Sequence, residues 1–107
     1  MKKINIIYTL EMQDGENRYT LHSPQTIQAE SDKDIETINR EGEELAKTYY
    51  GNTSTESNHG DWYEVDGGCR AIRYKSFEVI EDEAVFKQIQ NILYDILPSS
   101  KERWVSQ

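Results

Sequence analysis

Apolar and polar residues alternate from Ile4 to Met12, and the alternation returns from Arg18 to His22 after a short segment holding Asp14-Gly15. Asp-Gly is a strong signal for a tight two-residue hairpin turn. With Asp14 and Gly15 as the loop pair, Glu11 faces Arg18, Leu10 faces Tyr19 and Tyr8 faces Leu21. Ile6, Tyr8, Leu10, Tyr19 and Leu21 then share one face, and Thr9, Glu11, Arg18 and Thr20 the other. Ser23-Pro24 is expected to interrupt the second strand, because proline lacks a ladder donor. Thr26 to Glu30 reads as a short extended continuation.

The period changes after Glu30. Ile35, Ile38, Leu45, Ala46 and Tyr49 fall on one helical stripe with Gly42 on the same side, which predicts a helix from about Asp32 to Tyr50. Ser31 or Asp32 is the expected N-cap and Gly51 the expected stop. Residues 51–60 are small and polar and read as a loop. A second hairpin follows, Asp61 to Asp66 and Cys69 to Ile80, turning at Asp66-Gly67-Gly68. Either admissible turn puts Tyr63 and Val65 with Arg70, Ile72 and Tyr74, and puts Trp62 and Glu64 with Ala71, Arg73 and Lys75. Phe77 and Val79 lie on the opposite parity to Ile72 and Tyr74, so a bulge is expected near Lys75-Ser76. Val85, Phe86, Ile89, Ile92, Leu93, Ile96 and Leu97 make a broad stripe on a second helix from about Asp82 to Leu97, which Pro98 ends.

The order is β-β-α-β-β-α, an α+β domain over residues 1–98 with a tail at 99–107 in which Trp104 is a candidate for docking. The expectation is an antiparallel sheet of about four strands, with two helices packed on one face and Ile92 and Leu93 of the second helix buried. A chain of 107 residues is long enough for one core. No apolar run reaches the roughly 18 residues a membrane span needs, and the first residues carry no apolar leader, so the location expected is cytoplasmic. Cys69 is the single cysteine, which rules out an internal disulfide and agrees with a reducing compartment.

The formal net charge is −8; residues 1–66 hold 14 acids against six bases, whereas residues 67–107 hold six of each. A field of that sign repels phosphate backbones and anionic lipid, so direct nucleic-acid or membrane binding is not expected and a protein partner with a basic surface is. No phosphate loop, dinucleotide-binding glycine pattern, metalloprotease motif or kinase signature is present, so no catalytic residues, cofactor or metal are assigned. Two sets of residues stand out as binding candidates. Asp34, Glu41 and Glu44 fall on one flank of the first helix, while Glu36 with Arg40 and Glu43 with Lys47 are spaced for i, i+4 pairing on the other. Trp62, with Arg73 and Glu64 nearby, points away from the core face and matches the residue types of interface hot spots.

These features lead to the expectation of a small acidic protein-binding module, such as an inhibitor or antagonist that occupies the nucleic-acid-binding surface of its partner. Two alternatives remain. One is a small enzyme or metal-binding protein centred on His59, Asp61, Glu64, Asp66 and Cys69, whose spacing matches no established ligand pattern. The other is a homodimer or larger homo-oligomer joined through an exposed sheet edge.

Overall fold

The structure is a computed structural model in which residues 1–48, 57–59, 62–65 and 70–96 are described. It is a mixed α+β domain: β1 (Lys2–Asp14), β2 (Asn17–Ala29), α1 (Ile35–Lys47), β3 (Ser57–His59), β4 (Trp62–Val65), β5 (Arg70–Val79) and α2 (Glu83–Ile96). The strands form one antiparallel sheet in the order β2-β1-β5-β4-β3. Four of them are the expected ones, and Ser57–His59 adds a fifth within a segment whose polar composition reads as loop. The expected turn at 66–68, the stop at Gly51 and the tail lie outside the described residues.

β1 is the spine of the fold because its alternation is nearly perfect: Ile4, Ile6, Tyr8, Leu10 and Met12 are buried against α1. Its hairpin with β2 turns through Gly15 and Glu16, one residue later than expected, with Gly15 at φ +62°. Tight hairpin turns need positive φ at the first loop position, where glycine carries no Cβ penalty and aspartate does. Leu10 consequently faces Leu21, Met12 faces Tyr19 and Glu11 faces Thr20. The shift moves every pair by two, so each side chain keeps its expected face. β2 also continues through Ser23-Pro24, which a strand at the edge of a sheet tolerates.

In the second hairpin Tyr63 faces Ile72 and Val65 faces Arg70, the register of the Gly67-Gly68 alternative. Against β1, Leu10 pairs with Tyr74 and Thr9 with Ser76, leaving Lys75 as the extra residue of a bulge at the expected place. The bulge returns Phe77 and Val79 to the core face, where both pack on the central cluster.

α1 is capped by Asp34, not Ser31 or Asp32: its carboxylate accepts from Thr37 N at 3.3 Å and Glu30 N at 3.2 Å. Thr37, Ile38, Gly42, Leu45 and Ala46 are its buried positions, while Ile35 in its first turn is 48% exposed. The helix lies chiefly over β5, which leaves Tyr19 on β2 also 48% exposed.

The two helices do not share a face. α2 is capped by Asp82, whose Oδ1 accepts from Ala84 N and Val85 N, and its Glu83 accepts from Asn5 Nδ2 at 2.8 Å. Asn5 alternates with Ile4 and Ile6 and so points away from α1. Val85, Ile89 and Leu93 of α2 bound a hollow of about 530 Å³ with Ile7, Thr9 and His22, which are also on that opposite side. Phe86 is buried and Leu93 is half-buried, but Ile92 is 53% exposed and lies seven residues from Val85 on one outward row. The burial expected of Ile92 fails because α2 rests on a sheet face with few apolar residues, wide enough to cover only part of its stripe.

Candidate functional site

Three tyrosine hydroxyls fasten the sheet to α1. Tyr8 donates to Ile38 O at 2.7 Å, Tyr74 to Asn39 Oδ1 at 2.6 Å and Tyr63 to Glu43 Oε2 at 2.7 Å. Glu43 is thereby drawn to the sheet, and Lys47 pairs at 3.7 Å with Glu44 in place of the expected Glu43. Burial raises the Tyr8 hydroxyl pKa, helped by nearby Tyr74 and Glu41. Burial, and then Glu43, push that of Tyr74 up to about 12.

Glu41 and Glu44 are exposed at the rim of an open hollow of about 210 Å³ between α1 and β2, whose floor includes Tyr8, Ile27 and Leu45. The apolar floor beneath two carboxylates suits the stem and head of a lysine or arginine side chain. Asp34 does not join them. It stands seven residues away, about 10 Å along the helix axis. Its Oδ1 caps the helix through Thr37 N and its Oδ2 accepts from Glu30 N, and its hydrogen bonds with Thr37 and Glu30 hold its pKa below the ordinary carboxylate value.

Trp62, Arg73 and Glu64 occupy the other side of the sheet. Arg73 Cζ lies 4.7 Å from the centroid of the Trp62 ring, and Arg18 Cζ, from the hairpin end of β2, lies 5.5 Å from it. Glu11 holds both guanidinium groups: its Oε1 is 2.9 Å from Arg73 Nε, 2.8 Å from Arg73 Nη2 and 3.9 Å from Arg18 Nη1. Trp62 is half-buried and Glu64 exposed. Strand parity places Trp62 with Arg73, but nothing in the spacing reveals that Arg18 and Glu11 complete the cluster from two other strands. The six candidate binding residues therefore divide between the α1 side and the opposite sheet face, and do not form one site.

His22 is exposed, with Nδ1 3.2 Å from Thr9 Oγ1. Of the alternative centre on the second hairpin, Asp61, Asp66 and Cys69 lie outside the described residues, as does the side chain of His59. Among the described residues no group of three or more His, Cys, Asp or Glu side chains is placed to hold a metal ion, and no helix is long and apolar enough to cross a membrane. No family model, curated protein or solved structure matches this chain.

Proposed function

We propose that the protein is a small acidic binding module that occupies a basic surface on a partner protein, in competition with the nucleic acid that surface otherwise holds. The observation that carries this reading is the α1–β2 hollow, where Glu41 and Glu44 stand exposed over a partly apolar floor. The wider charge supports it: Glu30, Asp32 and Glu36 are also exposed, around the N-terminal end of α1, and the net charge of −8 would speed encounter with a cationic surface.

A lysine-rich peptide bound to a fluorescently labelled DNA duplex provides the test. Added protein is expected to release the duplex, with an effect that fades as salt rises. Glu41→Lys combined with Glu44→Lys is expected to weaken peptide binding about tenfold, mainly through a slower on-rate. A control with Glu16→Lys and Glu81→Lys carries the same change in net charge at exposed positions elsewhere. Equal weakening by both pairs would mean that net charge acts without the hollow, and no release of duplex at low salt would refute the reading.

A further inference from the structure

Among the described residues β2 and β3 are the two edges of the sheet, and β2 is 13 residues long against three for β3. In an antiparallel ladder the N–H and C=O of one residue point to the same side, and the side alternates along the strand. Ile80 N donates to Asn5 O at 2.9 Å, so Asn5 turns its backbone groups toward β5 and away from β2. Thr26, opposite Asn5, must direct its own N–H and C=O outward from the sheet. The β1–β2 ladder is unbroken from Lys2↔Ala29 to Asp14↔Asn17, so Arg18, Thr20, His22, Pro24 and Gln28 face outward as well. Pro24 is the member of this row that has no N–H. One residue earlier or later it would have cost a bond to β1; where it stands, the only donor lost is one that an incoming strand would need.

We propose that Pro24 closes the β2 edge against a second copy of this chain. Two β2 strands meeting antiparallel about a two-fold axis at position 23 would set Arg18 opposite Gln28, Thr20 opposite Thr26 and His22 opposite Pro24, the register that uses the whole of this row. Each Pro24 would then face His22 of the other copy without an N–H to donate, so two bonds next to the axis would be missing and two His22 carbonyls left unmet. Registers that avoid position 24 have only Arg18, Thr20 and His22 on one side of it, or Thr26 and Gln28 on the other. Arg18, at the far end of the row, is its one Lys, Arg, Asp or Glu, so Pro24 is the most direct obstacle to pairing along it.

Pro24→Thr restores the N–H on a residue suited to strands, and Pro24→Ala restores it with the smallest side chain. Sedimentation across a concentration series, paired with amide hydrogen exchange, compares both with the wild-type chain. The dimer dissociation constant of Pro24→Thr is expected to be at least tenfold lower than that of wild type, with slowed exchange at Thr20, His22 and Thr26. The proposal is overturned if both variants are as monomeric as wild type, dimerise with those amides unprotected, or fail to fold. It is equally overturned if the wild-type chain already dimerises with those amides protected.

Discussion

A Cβ built on Gly42 would lie 2.6 Å from Cε1 of Tyr74 and 2.9 Å from two more atoms of the same ring. Tyr74 cannot simply swing aside, because its hydroxyl is bonded to Asn39 and its ring meets Tyr8 edge-on at 5.8 Å between centroids. Gly42→Ala thus sets about 1 kcal/mol of helix propensity against an overpacking cost of about 1–3 kcal/mol. Net destabilisation is expected, read as a lower urea midpoint. In a Tyr74→Leu background, where the ring is gone, the same substitution is expected to become neutral or stabilising. A loss of equal size in both backgrounds would place the cost somewhere other than this contact. Periodicity alone puts Gly42 on the buried stripe, yet it cannot tell that the helix approaches the sheet over a tyrosine ring. The cap is hidden for a related reason: Ser31, Asp32 and Asp34 all have capping side chains, and only the path of the backbone decides among them.

At the scale of elements, the sheet face opposite α1 is organised by a carboxylate that reaches neither helix. Glu11 on β1 pairs with Arg73 on β5, whose guanidinium covers the indole of Trp62 on β4, and Arg18 on β2 reaches the same ring. Glu11 and Arg73 are largely sheltered, with side chains 18% and 23% exposed, so the pair escapes much of the screening that weakens surface bridges. Trp62→Ala is expected to cost about 1–2 kcal/mol, below the loss for a fully buried aromatic, because the ring is only half-buried. In a double-mutant cycle Trp62→Ala and Glu11→Ala are expected to couple by about 0.5–1 kcal/mol, since Glu11 steadies the cation that covers the ring. Strict additivity in denaturant unfolding would show that Arg73 holds its place without Glu11. Parity made Trp62 and Arg73 legible as neighbours, and the parity slip after Tyr74 made the bulge legible. The placement of α2 was not, because Ile7 gives the outer face an apolar foothold that alternation along β1 does not advertise. β3 is not legible in the sequence, because Ser57, Asn58 and His59 are all polar and carry no hydrophobic period.

Across the whole molecule, the join between sheet and α1 depends on protons that tyrosines give up at high pH. Tyr8, Tyr74 and Tyr63 donate to three acceptors on one helix, and a phenolate at any of them would lose its hydrogen bond and stand beside an oxygen. Burial lifts Tyr8 above the ordinary tyrosine value and pushes Tyr74 up to about 12, so the folded chain holds these protons more tightly than the unfolded one. Their contribution is therefore complete below the unfolded value of about 10 and is lost as pH rises from there, through about 12 for Tyr74 and later still for Tyr8. The urea midpoint is expected to hold nearly level between about pH 7 and 9 as far as these groups are concerned, then fall steeply. The net charge of −8 sharpens the fall, since lysines also lose protons in this range and self-repulsion grows. Tyr8→Phe combined with Tyr74→Phe separates the two causes. The double variant is expected to lose about 1–3 kcal/mol at neutral pH, having left the Ile38 carbonyl and the Asn39 side chain short of a donor. Above about pH 10 its stability is expected to decline less steeply than that of the wild-type chain, because two fewer protons are released on unfolding. If the slopes instead coincide, charge repulsion accounts for the alkaline loss and the raised tyrosines contribute nothing to it.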